Sequence, residues 1–129
     1  MRGFLLDTHA FLWWILDDKR LSTRARATIA DPEHEICFSV ISAWEICIKA
    51  RLGRISQIES AEIFIPEQVA RNNFRILNLS LEMVLKLPVM PNVHEDPFDR
   101  MLIAQGLSEK MPIITNDRLF AKYPIDLVW

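Results

Sequence analysis

The chain alternates short apolar runs with longer stretches of helical character, and this alternation is the feature that most constrains its fold. The runs that look like strands are residues 3–7 (GFLLD), 35–39 (EICFS), 75–79 (RILNL), 112–115 (PIIT) and a last one near 126–129. Short runs that are apolar throughout are typical of buried parallel strands. Strands that alternate with helices predict an α/β domain around a mainly parallel sheet, whose ligands bind beyond the carboxyl ends of the strands.

Capping residues and helix breakers set the predicted limits of the helices. The predicted helices cover residues 9–16, 23–30, 42–52, 60–72, 81–87, 99–110 and 118–122, and a proline-rich loop covers 88–98. In this assignment Thr8 caps the first helix, Ser42 begins the third, and Asp99 is the first residue of helix 99–110. Pro66 is expected to break or restart the helix that contains it.

Length and composition indicate one folded domain that spans residues 1–129. Half of the residues are hydrophobic, which is high for so short a chain, so we expect spare apolar surface that a homodimer or a tightly bound partner covers. The formal net charge is −2, whereas proteins that hold nucleic acid by charge alone are usually basic. A nucleic-acid role would therefore require a local basic patch, or metal ions that offset a local acidic one.

The two cysteines, Cys37 and Cys47, lie in apolar runs without the spacing of a metal site, and both are predicted to be reduced core thiols. The early Asp7 argues against a secretory signal peptide, and no apolar run has the roughly 18 residues that a membrane span requires. We therefore expect a soluble cytoplasmic protein without a membrane partner. The three glycines form no loop that could cradle a nucleotide phosphate.

Four acidic residues that are far apart in the sequence are predicted to meet at the carboxyl edge of the sheet. Asp7 ends the first strand, and Glu45 lies one turn into the helix that leaves the second strand. Asp99 begins the helix that leads into the fourth strand, and Asp117 follows that strand by two residues. Topology alone thus brings all four side chains to one rim.

Four neighbouring carboxylates require protons or cations in order to coexist. Two carboxylates about 4 Å apart repel each other by about 4 kcal/mol at an effective dielectric of 20. Mg²⁺ or Mn²⁺ suits a site made of carboxylate oxygens alone. Such ions would let a phosphodiester approach and would activate water for its hydrolysis.

Each of these acids also has a structural interpretation, which the sequence leaves open. Asp7 and Asp99 could cap the helices that follow them. Glu45 precedes Lys49 by four residues, which is the favoured order for an ion pair on a helix surface. Asp117 could belong to an ordinary turn in the segment TNDR.

Other side chains are weaker candidates for contact with a substrate. The three histidines lack ligand spacing, and Trp13, Trp14 and Trp44 are expected to be core or dimer contacts, with Trp44 on a helical stripe of apolar residues. Hydroxyl groups near the rim could bind phosphate or merely cap helices; they belong to Thr8, Ser39 and Ser42. The best candidates for a basic RNA-guiding surface are Lys19, Arg20, Arg24, Arg26, Lys49, Arg51 and Arg54.

Four segments resemble the motifs of a known family. LLDTHAFLWW is similar to the first acidic motif of the PIN-domain ribonucleases, and SAWEICIK to the second. HEDPFDRMLIAQ is similar to the most distinctive block of the family, and IITND to its last motif. The resemblance runs from about residue 3 to the C-terminus, and it is closer to the VapC-type toxins of type II toxin–antitoxin pairs.

The resemblance implies a five-stranded parallel sheet of order 3-2-1-4-5, flanked by helices, and Mg²⁺- or Mn²⁺-dependent cleavage of RNA. It also implies a homodimer that is held inactive by a cognate antitoxin, whose C-terminal segment reaches the acidic pocket. Transferred by position, the catalytic and metal-binding acids are Asp7, Glu45, Asp99 and Asp117. Thr115 is the hydroxyl beside the site, and Asp96 is an auxiliary acid.

Two other functions fit parts of the sequence. A PIN-like fold could be kept as a catalytically silent interaction module, although intact acids at all four positions argue against that function. A phosphohydrolase or response-regulator-like phosphoacceptor usually places two acids beside the first strand and a lysine after a later one. Here Asp7 stands alone, and no lysine follows the fourth predicted strand before Lys122.

Overall fold

The computed structural model describes residues 2–129, within which five strands alternate with six α-helices. The strands are β1 (Arg2–Leu6), β2 (His34–Ser39), β3 (Arg75–Leu77), β4 (Ile113–Ile114) and β5 (Leu127–Val128). The helices are α1 (Thr8–Ile15), α2 (Thr23–Ala30), α3 (Val40–Arg51), α4 (Ala61–Arg71), α5 (Leu81–Val84) and α6 (Pro97–Glu109). Leu87–Val89 and Arg118–Lys122 form short 3₁₀ turns. No helix in residues 2–129 is long and apolar enough to cross a membrane.

The five strands form one sheet of order β3-β2-β1-β4-β5, and every neighbouring pair is parallel. In the central strand, Leu5 aligns with Cys37 on one side and with Ile113 on the other. The α/β class, the parallel sheet and the strand order 3-2-1-4-5 are therefore confirmed. All five strands have their carboxyl ends at the same edge, where α1, α3 and the turn after β4 begin.

Helices cover both faces of the sheet and bury two apolar layers. Leu6 packs in one layer and its neighbour Leu5 in the other, because successive side chains of a strand point to opposite faces. Helices α1, α2 and α4 supply the first layer, which includes Phe11, and α5 and α6 supply the second, which includes Leu102. Burial on both faces explains why the central strands are apolar throughout.

Acidic and hydroxyl caps set three helix starts that differ from the predicted ones. Asp7, not Thr8, is the N-cap of α1, and α3 begins at Val40 behind Ser39 rather than at Ser42. Helix α6 begins at Pro97 behind its cap Asp96, so that Asp99 lies within its first turn. The N–H groups in the first turn of a helix have no carbonyl partner within the helix. The side chain that accepts hydrogen bonds from these groups therefore decides where α3 and α6 begin.

Helix α3 leaves most of its apolar stripe outside the core, and of that stripe only Ile41 is buried. Trp44, Ile48 and Leu52 are exposed, and the predicted core thiol Cys47 is exposed on the same helix. The buried positions of α3 are Ile41, Ser42, Glu45 and Ile46. Polar side chains occupy the inner face because this helix carries part of the polar rim described below, and its apolar stripe is left outside.

Two further predictions were wrong in detail. Helix α4 continues through Pro66 from Ala61 to Arg71, held by a buried face of Ala61, Ile65 and Val69. Packing of this face offsets the backbone hydrogen bond that a proline cannot make. The helix predicted over residues 81–87 ends at Val84, and a separate 3₁₀ turn extends into the predicted loop.

Candidate active site at the carboxyl edge of the sheet

Asp7 lies at the carboxyl end of the central strand and is buried. Its Oδ1 accepts a hydrogen bond from the Ala10 backbone N–H at 2.7 Å, and the Thr115 side chain also hydrogen-bonds to it. Burial raises the pKa of this carboxyl, and repulsion from Asp117 adds to the rise, while the two hydrogen bonds and His9 oppose it. The capping interpretation of Asp7 is thus correct, and its carboxylate also faces the rim.

Asp117 lies in the turn after β4, beside Thr115. Its backbone N–H donates to the Thr115 hydroxyl at 3.1 Å, and its Oδ1 caps the 3₁₀ turn by accepting from Leu119 N–H at 3.0 Å. Its Oδ2 lies 3.0 Å from Nε2 of His94. Thr115 is buried and hydrogen-bonds to both Asp7 and Asp117, which gives it the position beside the site that was predicted.

Asp99 has the most perturbed environment of the half-buried acids at this rim. Burial, together with the charges of Asp96, Glu45 and Asp117, raises the pKa of Asp99 to about 7, and His94 opposes this rise. Asp96 caps α6 by accepting from the N–H groups of Phe98 and Asp99, at 2.8 and 3.2 Å. Asp96 therefore acts as a helix cap whose charge reaches Asp99.

Glu45 is buried on α3, and its Oε2 lies 2.6 Å from Nζ of Lys49. The predicted ion pair therefore exists, but it is not a surface pair, because the carboxylate is enclosed and only the lysine reaches solvent. The start of α3 is linked to α1 by a hydrogen bond of 2.9 Å, in which the Thr8 hydroxyl donates to the Ser42 hydroxyl. This buried bond keeps the two helix starts that carry Asp7 and Glu45 together.

The four predicted acids thus share one rim but are not all equally close. Asp99 and Asp117, together with His94, offer ligand atoms within 4.8 Å of one another, and this is the one such group in residues 2–129. Asp7 interacts electrostatically with Asp117, and Glu45 does so with Asp99, although both lie outside that group.

His94 is the residue that reasoning from the sequence missed. His94 is not spaced along the chain as metal-binding histidines are. In the fold, however, its ring is buried between Asp117 and Tyr123. The available signal was its place two residues before the acidic segment DPFD. That signal is weak, because Tyr123 and Asp117 reach His94 only through the fold.

Some of the predicted hydroxyl and basic side chains are hydrogen-bonded or ion-paired within the protein, and some of the basic ones form no ion pair in residues 2–129. Ser39 is fully buried; it caps α3 and donates to Gln105, so it is not available to a phosphate. Arg20 and Arg26 form ion pairs with Asp18 and Asp17. Within residues 2–129, four of the predicted basic side chains form no ion pair within 4 Å; they are Lys19, Arg24, Arg51 and Arg54.

The three tryptophans considered above differ in their burial. Trp13 is buried in the first apolar layer, as predicted, and Trp14 is partly buried beside it. Trp44 is exposed and meets Phe98 edge to face, with 5.1 Å between the ring centroids. Since each of these two rings precedes a rim acid in the sequence, an aromatic pair borders the acidic site.

The donor set fits a hard divalent cation. The rim offers carboxylate oxygens from separate elements, and burial, with a contribution from neighbouring acids, raises the pKa values of Asp7 and Asp99. Raised pKa values of this kind mean that the carboxylates lack enough positive charge around them. Oxygen donors with excess negative charge are the ligands that Mg²⁺ and Mn²⁺ prefer.

The chain is similar in sequence and in fold to several known proteins. Ribonuclease VapC22 of Mycobacterium tuberculosis is 27% identical over 119 residues, which cover 92% of this chain and 89% of that protein. The fold is similar to VapBC2 from Rickettsia felis bound to a DNA fragment from its promoter, with a TM-score of 0.73, 13% identity and coverage of 97% and 96% of the two chains. DNA-bound VapBC from Salmonella typhimurium gives a TM-score of 0.67 at 19% identity, with coverage of 98% and 97%.

A sequence profile of the PIN domain matches residues 4–126, nearly the whole chain. The matched region contains all four predicted acids, Thr115 and His94. The chain therefore belongs to the PIN domain family.

Proposed function

We propose that this protein is a divalent-metal-dependent endoribonuclease that acts as the toxin of a toxin–antitoxin pair. The observation that carries the proposal is the meeting of Asp99 and Asp117 in one group, with Asp7 and Glu45 in electrostatic reach. A rim that concentrates this much negative charge destabilises the fold unless protons or a cation neutralise it. Similarity to a ribonuclease of the VapC type supports RNA as the substrate.

Asp7, Glu45, Asp99 and Asp117 would hold the Mg²⁺ or Mn²⁺ ions. Such an ion would neutralise the carboxylates and would supply the Lewis acidity that activates water for attack on a phosphodiester. The Thr115 hydroxyl orients Asp7 and the Asp117 backbone, and Asp96 fixes the start of the helix that carries Asp99. Lys49 neutralises Glu45 and reaches solvent, where it is available to a phosphate.

We also propose that residues 1–129 form a single PIN domain in a cytoplasmic homodimer that binds a cognate antitoxin. Similarity in fold to proteins solved as VapBC complexes supports an antitoxin partner. Large apolar side chains left exposed on α3 and around α5 support a covered surface; they are Trp44, Ile48, Leu52, Leu81, Leu85 and Val89. The charged rim supports catalysis over a catalytically silent interaction module, which would gain nothing from crowded carboxylates.

The decisive experiment compares wild type with Asp99→Asn. We expect this variant to lose at least 100-fold in RNA cleavage, which corresponds to about 2.7 kcal/mol of transition-state stabilisation, and to relieve growth inhibition in cells. EDTA should stop the wild-type reaction and Mn²⁺ should restore it. Sequencing of RNA ends after induction of each form would reveal the target as well as the activity.

The matched control is Asp126→Asn, an exposed acid that precedes β5 at the opposite edge of the sheet. It removes the same charge and should cleave like wild type. Metal-dependent cleavage by Asp99→Asn at the wild-type rate would refute the site assignment. A wild type that binds no divalent ion would instead favour the silent module.

A further inference from the structure

His94 connects the two segments that carry Asp99 and Asp117. It lies in the loop before α6, and its ring packs against the 3₁₀ turn after β4. The ring stacks on Tyr123 with 5.5 Å between centroids and meets Phe120 edge to face at 4.9 Å. Phe120 and Tyr123 thus pack against two sides of the imidazole, and the buried ring is held in one orientation.

The hydrogen bonds of this ring have a determined direction at Nε2. Nε2 lies 3.0 Å from Oδ2 of Asp117, and a carboxylate oxygen accepts hydrogen bonds, so this contact assigns the donor role to Nε2. On the other side, Nδ1 lies 3.0 Å from the Tyr123 hydroxyl, which also accepts from the His94 backbone N–H at 3.0 Å. That hydroxyl is able both to donate and to accept, so it suits Nδ1 in the neutral and in the charged ring.

A hydrogen on Nε2 leaves this nitrogen without a lone pair for a metal ion. The histidine is therefore not a ligand in this arrangement, although it lies within 4.8 Å of the ligand atoms of Asp99 and Asp117. Instead it fixes one oxygen of Asp117, while the Leu119 N–H fixes the other. Each oxygen keeps a second lone pair that is free to face the rim.

We propose that His94 is a positioning residue, which orients the Asp117 carboxylate through its Nε2–H group and is itself held by the Tyr123 hydroxyl. The inference rests on the proposed function, since it treats Asp117 as a ligand of a divalent ion. Groups that orient a metal ligand from behind typically contribute 10- to 100-fold to metal affinity or activity.

The first test needs neither metal nor substrate. Long-range ¹H–¹⁵N correlation spectra of the metal-free protein distinguish a ring nitrogen that carries a hydrogen from one that carries a lone pair. We expect Nε2 of His94 to carry the hydrogen, and Tyr123→Phe to change the shift of Nδ1 more than that of Nε2. A lone pair on Nε2 in the wild-type protein would overturn the proposal, and this measurement does not depend on any variant of His94.

The second test measures Mn²⁺ affinity by titration calorimetry in His94→Ala and His94→Gln. The glutamine amide can replace the Nε2–H donor, whereas alanine cannot, so we expect alanine to weaken Mn²⁺ binding at least about 10-fold. Glutamine should restore most of that loss, even where the two variants have the same melting temperature. Equal Mn²⁺ affinity of wild type and His94→Ala would overturn the proposal.

The matched control is His34→Ala, at the start of β2 and at the opposite edge of the sheet, where the ring hydrogen-bonds to the Thr28 carbonyl oxygen. It should leave Mn²⁺ affinity unchanged. Failure of the proposed function has a different signature, since wild type itself would then bind no Mn²⁺. Displacement of Nε2 from the Asp117 carboxylate by added metal, with direct coordination of the ring, would also refute the positioning role.

Discussion

At the scale of single residues, Asp99 shows how strongly burial and neighbouring acids raise the pKa of a carboxyl group at the rim. Its pKa is about 7 instead of the ordinary value of 3.8, first because of burial and then because Asp96 repels it. The folded protein therefore binds this proton more tightly than the unfolded chain does. Stability must fall as the pH rises from about 4 to about 7, which is the window between the two pKa values.

We predict that Asp99→Asn stabilises the metal-free protein above pH 7. The amide is neutral at every pH, so it avoids the cost of a half-buried negative charge near other acids. Solvent screening at this half-exposed site reduces the gain to about 1 kcal/mol, or roughly 4 °C in melting temperature at pH 8. Thermal unfolding in EDTA between pH 4 and pH 8 measures the effect, which should vanish near pH 4.

Asp18→Asn provides the control of opposite sign. Hydrogen bonds from Arg20 hold the pKa of Asp18 at about 2, so this acid contributes stability above pH 4 and loses it as the pH falls toward 2. The variant should gain nothing at pH 8. If Asp99→Asn were less stable than wild type at pH 8 in EDTA, the electrostatic account of the rim would be wrong.

At the scale of elements, the end of α3 was predicted to within one residue, whereas its start was predicted two residues late. Gly53 has a φ of +72° just beyond the end of α3, in the left-handed region that glycine tolerates best. The starts depend on which nearby acid or hydroxyl accepts the first N–H groups, and several candidates stand within three residues of each other. Asp7, Ser39 and Asp96 each satisfy this role only because the fold turns their side chains toward the helix.

Two of the left-handed residues that follow helices, Gly53 and Lys110, lead to predictions of opposite sign. Lys110 follows α6 with a φ of +54°, where a side chain is strained, and Gly53 has open space around the position of a Cβ atom. Gly53→Ala should lower the free energy of unfolding by about 1 kcal/mol, and Lys110→Gly should raise it by about 0.5 kcal/mol. Urea unfolding measures both. A stabilising Gly53→Ala would show that α3 does not end as described.

At the scale of the whole molecule, α3 and α5 both pack on α6 and leave apolar residues outside. We predict that Leu85→Glu, on a residue 60% exposed, converts the proposed homodimer to monomers. A charge at the centre of a two-fold interface is buried twice, which is costly. Light scattering after size-exclusion chromatography gives the mass of each form at a fixed concentration.

Ile63→Glu is the matched control, because Ile63 is 62% exposed on α4, outside this surface. It should remain dimeric. A wild type that is monomeric at micromolar concentrations would contradict the dimer and would leave the apolar residues of α3 and α5 to the antitoxin. Loss of the dimer in Ile63→Glu would move the interface to α4.

The short apolar runs of the sequence predicted the parallel sheet, and the resemblance to the PIN-domain ribonucleases implied its strand order. The sequence also predicted that Asp7 and Asp117 lie at the ends of strands. Since parallel strands end at one edge of a sheet, these two side chains were expected to meet there. The fold was needed to show that α3 turns Glu45 inward and Trp44 outward, and that His94 and Tyr123 meet behind Asp117. Local pattern encodes which elements form, whereas the rotation of a helix and contacts across the chain depend on packing against residues that lie far away in sequence.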